Sequence, residues 1–226
     1  MKIVSFALLI TVTIGVFMAR PNGETENPVV IDWQINNVSH IGGHRITVLG
    51  KPEIITSDHS QALLFDGEDD GIIVESNPLA GARRFTVEVV FRPDPGGAPQ
   101  QRFLHFQSGE NRRALVETRL EGEQWFLDTF LKFDEAERTL QARDKLHPLG
   151  EWFHAALVYD GRAMHHYVNG IMETSGPVDF SPLRAGQMSI GCRLNRVFWF
   201  KGAIRRMRVT HSVLRPEEFL PKTNTD

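Results

Sequence analysis

Between Glu151 and Thr174 the chain reads EWFHAALVYDGRAMHHYVNGIMET. Three short runs of apolar, aromatic and β-branched residues are divided by Asp160-Gly161 and Asn169-Gly170. Asp-Gly and Asn-Gly tolerate the positive φ angles of tight hairpin turns. Two of them so close together predict a three-stranded antiparallel meander. The first run is apolar on both parities, with Phe153, Leu157 and Tyr159 on one and Trp152, Ala156 and Val158 on the other. A strand of this kind is covered on both faces, as in the middle of a packed sandwich.

The rest of the chain repeats the pattern. Short runs of strand character lie at 29–33, 46–49, 52–55, 61–65, 72–74, 85–91, 102–107, 113–120, 124–132, 139–142, 188–194, 197–200 and 203–210, with turn residues between them. Many short strands of this kind predict an all-β fold, a two-sheet antiparallel β-sandwich or jelly roll. The one helical hint is 215–220, where Pro216, Glu217 and Glu218 suit a first helical turn. There is no internal repeat.

At 226 residues and 41% hydrophobic, the chain can bury one substantial core. A net charge of -3 and the lack of a long basic run argue against nucleic acid. Pairs such as Arg83-Arg84 and Arg112-Arg113 are interleaved with acids and read as solvated faces. Cys192 is the only cysteine, which excludes an intramolecular disulfide and a cysteine metal site. Met1-Lys2 precedes an uncharged apolar run from Ile3 to Ala19, which reads as a secretory signal peptide or an uncleaved membrane anchor. Residues 20–28 read as a linker and 29–222 as the globular domain. Either fate of the leader puts that domain outside the cytoplasm, secreted or in the cell envelope.

Several motifs together carry a resemblance. Trp152-x-His154, Leu157-x-Tyr159-Asp160-Gly161 and Tyr167-Val168-Asn169-Gly170 are preceded by Ala62-Leu63-Leu64-Phe65-Asp66-Gly67 and by FTVEVVFRP at 85–93. They are followed by Ser189-Ile190-Gly191, Phe200-x-Gly202-x-Ile204 and Leu214-x-Pro216-x-Glu218. In this order and spacing the chain resembles laminin-G-like domains of the concanavalin A-like lectin/glucanase superfamily. The resemblance implies a non-catalytic recognition role outside the cytoplasm, on a glycan or an extracellular protein.

Three places are candidates for chemistry. The acidic turn Asp66-Gly67-Glu68-Asp69-Asp70 clusters oxygen ligands around glycine, as calcium requires. The resemblance implies a structural calcium, with an Asp-Glu pair after the Ile of Phe-x-Gly-x-Ile. Here that pair is Arg205-Arg206, so no cofactor is expected. Instead, either Arg205 or Arg206 pairs with Asp66, Asp69 or Asp70 as a fixed cation, or the turn is solvated with no partner.

The second candidate is a polar ladder on middle strands. Alternation puts Phe103, His105 and Gln107 on one face, Glu117 with Arg119, and Asp128 with Phe130 and Lys132. His154 shares a face with Trp152, and His166 with Met164 and Val168. If these faces combine, they make a groove of both charge signs with aromatic edges, suited to a glycan. A solvated outer face with structural ion pairs is the alternative.

The third is the loop Asn195-Arg196 with Trp199, at a sandwich rim where recognition often sits; with Phe198 and Phe200 on either side, Trp199 is either exposed there or turned into the core. Glycoside hydrolysis needs two carboxylates about 5 to 10 Å apart. The Glu-x-Asp-x-x-Glu run of the superfamily's hydrolases does not occur here, nor does Gly-x-Ser-x-Gly. Catalysis is therefore disfavoured, and a structural envelope-assembly module is the remaining alternative.

Overall fold

The structure, a computed structural model, describes residues 27–221. The expected leader and the linker up to residue 26 lie outside them. In chain order the strands are β1 (Val30–Gln34), β2 (His40–Ile41), β3 (His44–Leu49), β4 (Glu53–Ser57), β5 (Ser60–Asp66), β6 (Gly71–Val74), β7 (Phe85–Pro93), β8 (Gln100–Gln107) and β9 (Arg112–Glu121). They continue as β10 (Gln124–Phe133), β11 (Ala136–Gln141), β12 (His147–Pro148), β13 (Phe153–Tyr159), β14 (Ala163–Val168), β15 (Ile171–Pro177), β16 (Gln187–Ile190) and β17 (Lys201–Thr210). The helical hint at 215–220 is a single 3-10 turn, Pro216–Glu218, with Arg215 and Glu218 closing its start. No helix among the described residues is long and apolar enough to cross a membrane.

These strands form the expected two-sheet antiparallel sandwich. One sheet runs β15-β14-β13-β7-β17-β5-β4, with β1 also on β17. The other runs β11-β10-β9-β8-β16-β6-β3-β2, with β12 on β10. The meander forms as read. Asn169 and Gly170 both take positive φ, 49° and 78°, which is what a two-residue hairpin turn needs. The Asp160 carboxylate accepts the Arg162 and Ala163 amides at 2.8 Å each and fixes the other turn.

An aromatic column joins the two layers. Phe91 stacks on Phe103 with centroids 4.6 Å apart, and its edge meets Trp125 at 5.2 Å. Trp125 in turn meets Phe153 at 5.0 Å. β13 is buried along its whole length, but its two faces are covered differently. Phe153, Ala155, Leu157 and Tyr159 enter the inter-sheet core. Its outer face lies under the segment that follows β17. There the Leu220 amide donates to Glu88 Oε1 at 2.6 Å, and the Phe219 ring meets His154 and Tyr167.

Glu88 is fully buried beneath this segment. Burial pushes its carboxyl up, but hydrogen bonds from His154, Arg208 and the Leu220 amide outweigh that and hold it below its ordinary range. His154 is thus a packed residue of the first sheet. His166 faces the inter-sheet core, where its Nδ1 lies 3.2 Å from Thr129 Oγ1. Neither joins the polar ladder.

Two bulges change what alternation predicts. Arg102 pairs with Glu117 and Leu104 with Val116, so Phe103 is an extra residue in β8. Phe103 enters the core, so it does not share a face with His105 and Gln107 as alternation predicts. In β17, Ile204 pairs with Phe91 and Arg206 with Val90, leaving Arg205 as the extra residue. The strand expected over 188–194 ends at Ile190, where Gly191 turns the chain at φ 83°. Residues 197–200 form no strand. Instead, the Arg196 amide bonds the Arg193 carbonyl at 2.8 Å and the Arg193 amide bonds the Val197 carbonyl at 3.1 Å, closing a tight turn.

Candidate functional site

The second sheet carries the polar ladder on its outer face. On β9, Arg113, Leu115, Glu117 and Arg119 alternate with the buried Ala114, Val116 and Thr118. Ladder pairing sets Asp128 of β10 opposite Glu117, Phe130 opposite Leu115, and Gln141 of β11 opposite Asp128. Cross-strand neighbours on one face are the pairs close enough to interact.

Arg119 lies between the two acids. Its Nε donates to Asp128 Oδ2 at 2.6 Å and its Nη2 to Glu117 Oε2 at 3.1 Å. Arg102 Nε lies 3.0 Å from Glu117 Oε1, and Gln141 Nε2 donates to Asp128 Oδ2 at 2.7 Å. Glu117, Arg119 and Asp128 therefore converge. Together with Arg102, Arg113, Leu115, Phe130, Glu137, Thr139 and Arg193 they line a pocket of about 290 Å³.

Glu117 and Asp128 are 2% and 1% exposed, so the pocket has a charged but dry floor. Burial, then the Asp128 charge, pushes Glu117 up to about 7. Burial likewise pushes Arg102 below the ordinary guanidinium range. Asp128 Oδ1, Arg102 Nη1 and Arg113 Nε are buried without a hydrogen-bond partner among the described residues.

His105, buried, is not in the lining but holds the turn beside it. Its Nδ1 accepts the Leu194 amide at 3.1 Å, which places the proton of the neutral ring on Nε2. Burial, then the nearby Arg193, Arg113 and Arg102, pushes His105 down to about 3. It holds the 193–200 turn against the sheet. In that turn Asn195 and Arg196 are exposed at the tip, and Trp199 is half-buried beside Gly71. None of these three lines the pocket. The residues of the turn that reach it are Arg193, in its lining, and Phe198, whose ring covers Arg102 with Cζ 3.6 Å from the centroid.

The acidic turn lies elsewhere, beneath a recess of about 700 Å³ lined also by Lys51 and Lys201. Its expected arginine partners are not there. Arg206 makes a two-pronged pair with Asp32 at 2.9 and 2.6 Å. Arg205 lies over the Trp152 ring at 4.4 Å and 4.0 Å from Asp58. The reason is register. Asp66 pairs with Lys201, and four residues of strand carry Arg205 roughly 13 Å beyond it.

Backbone amides take the role expected of the arginines. Asp66 Oδ1 accepts the Glu68, Asp69 and Asp70 amides, and Asp70 accepts those of Lys51 and Asp66. Burial raises Asp66, but its backbone hydrogen bonds outweigh this and lower it. Burial leaves Asp70 raised. One oxygen from each of Asp66, Asp69 and Asp70 lies within 4.8 Å of the others. Calcium takes six to eight oxygens, and most of the Asp66 and Asp70 oxygens already serve the backbone. The set fits the ion only in part.

Residues 66–219 match a laminin-G-like family model of the concanavalin A-like lectin/glucanases superfamily. The chain belongs to that family. Comparison with curated proteins gives no match. Among solved structures, it is similar to domain 4 of AbnA, a GH43 extracellular arabinanase from Geobacillus stearothermophilus, in complex with arabinotriose. That match has 19% identity and a TM-score of 0.63, over 85% of this chain and 97% of the other. It is also similar to the botulinum neurotoxin serotype D binding domain, with 13% identity and TM-score 0.60, over 85% of this chain. A third is the binding domain of botulinum neurotoxin DC in complex with rat synaptotagmin II, with 14% identity and TM-score 0.59, over 84% of this chain. The chain spans about half of each toxin domain.

Proposed function

We propose that this protein is an extracytoplasmic, non-catalytic recognition domain that binds carbohydrate on the outer face of β8 to β11. One observation carries the reading: Arg102, Glu117, Arg119 and Asp128 converge in an open pocket beside the apolar Leu115 and Phe130. A fixed hydrogen-bonding array next to apolar surface suits the alternating polar edges and apolar faces of sugar rings. Asp128 lines this pocket, and its buried Oδ1 has no partner among the described residues, which makes it the acceptor proposed for a sugar hydroxyl. The likeness to an arabinanase domain in complex with arabinotriose supports the ligand class. The apolar N-terminal run supports export.

Arg119 supports binding without catalysis. A raised Glu117 beside Asp128 has the look of an acid-base pair. Yet Arg119 occupies both carboxylates from between them, where a scissile bond would have to lie.

A glycan array, followed by calorimetry on the hits, tests the proposal. Clear hits that weaken about tenfold or more in Arg119→Ala and Asp128→Asn are expected, as for loss of a charge-assisted hydrogen bond. An array without hits, or turnover of a bound oligosaccharide, would contradict it. A protein ligand is the second reading, favoured by the likeness to a toxin domain in complex with synaptotagmin.

A further inference from the structure

We propose, resting on the carbohydrate reading of this pocket, that its Arg113–Arg193 side takes an anionic group of the saccharide, a uronate carboxylate or a sulfate ester. The charge balance of the lining leads there. Four arginines, Arg102, Arg113, Arg119 and Arg193, face three carboxylates, Glu117, Asp128 and Glu137. Glu137 is taken by Lys132 at 2.6 Å. Glu117 and Asp128 are taken by Arg102 and Arg119. Among the described residues no carboxylate lies within ion-pair distance of Arg113 or Arg193, and only the more distant charges of Glu137 and Glu117 act on them.

Their own contacts do not supply one. Arg113 Nη1 bonds the Glu110 carbonyl at 2.7 Å, and its guanidinium lies 5.3 Å from the Phe130 ring centre. Its Nε is buried without an acceptor among the described residues, as is Arg102 Nη1. The Arg193 side chain has no hydrogen bond or ion pair among the described residues, although Arg193 lines the pocket. Burial, then the neighbouring Arg113, disfavours the charge on Arg193, and the Glu117 charge offsets this only in part.

Like charges gathered in a half-buried pocket are unfavourable until an anion joins them. The fork of a guanidinium matches the paired oxygens of carboxylate and sulfate. Asp128 lines the same pocket, and its buried Oδ1 has no partner among the described residues. Acceptor and free donors side by side suit a sugar that carries both a hydroxyl and an acid. A bare anion would meet the Asp128 and Glu117 charges and gain less. A neutral sugar would leave the arginines unmatched.

The test is calorimetry on the full protein with trigalacturonate and a sulfated chondroitin tetrasaccharide, each beside its uncharged form, the methyl ester and the desulfated sugar. At least one acidic probe is expected to bind about tenfold or more tighter than its uncharged form. Arg193→Ala should erase that difference, and Arg193→Lys should restore part of it. Raising salt from about 0.05 to 0.5 M should weaken the acidic probe alone. Arg193 sits on a half-exposed turn, and an unchanged melting temperature confirms that the variants fold.

If the uncharged forms bind as tightly, and Asp128→Asn weakens them, the anionic subsite is wrong and the carbohydrate reading stands. If no probe of either kind binds, both fail. An acidic probe whose binding survives Arg193→Ala also overturns the proposal.

Discussion

Phe198 lies over the guanidinium of Arg102, with Cζ 3.6 Å from its ring centre, on a backbone held at φ 61°. An aromatic residue in the left-handed region is unusual and persists only where its surroundings demand it. The demand here comes from both sides, because the Arg102 amide also donates to the Phe198 carbonyl at 2.9 Å. The turn thereby fixes Arg102 against Glu117 and sets Arg193 at the pocket edge. Phe198→Ala keeps the strained backbone and loses the ring, and should lower stability by about 1 kcal/mol in urea denaturation. Saccharide affinity should fall several-fold with it. Unchanged affinity would mean that the ring does not position Arg102.

Arg119 is the keystone of the ladder. Its removal leaves Glu117 with Arg102 alone and Asp128 with Gln141 alone, both in buried positions. Breaking one side of a buried pair typically costs about 3–5 kcal/mol. Arg119→Ala should therefore destabilise the fold by about that amount at neutral pH, and less in acid once Glu117 is protonated. A loss below about 1 kcal/mol, the usual worth of an exposed pair, would show the network to be solvated.

His105 gives a pH signature. Its folded value, about 3, lies below the ordinary 6.5. Between these values the unfolded chain binds a proton that the folded chain does not. Stability from His105 is complete above pH 6.5 and is lost as pH falls toward 3. His105→Asn keeps an acceptor near the Leu194 amide but cannot be protonated. Its denaturation free energy should fall less steeply than that of the parent between pH 6.5 and 4. Parallel curves would refute the buried, neutral assignment.

For the acidic turn, backbone amides already hold Asp66 and Asp70. Added calcium should leave the melting temperature within about 2 °C of an EDTA-treated sample, since a loosely fitted ion adds little by mass action. A rise of many degrees would restore the metal. Asp66→Ala, which frees three amides at once, should cost about 1–2 kcal/mol with or without calcium.

Much of this architecture is legible in the chain because its turn chemistry is local. Asn169-Gly170 and Asp160-Gly161 act within three residues, and the meander follows. The ladder of Glu117, Arg119 and Asp128 is legible through the period-two rule, since β9 and β10 run without interruption. What escapes the rule is its violation. One inserted residue at Phe103 and one at Arg205 turn the faces that follow, and nothing in either local sequence announces a bulge. Arg193 and Phe198 are hidden for a similar reason. The apolar run 197–200 reads as strand, while Gly191 and the Arg193–Val197 bonds fold it into a turn. The second cover of β13 is equally out of sight, because Phe219 and Leu220 lie far along the chain from the residues they shield.

The most direct measurement is a crystal structure with a bound oligosaccharide chosen from the array. The sugar is expected over Leu115 and Phe130, with a hydroxyl toward Asp128 and the ring edge toward Arg193 and Arg113. A sugar seated instead over Lys51 and Lys201 at the acidic turn, with the β8–β11 face empty, would contradict it.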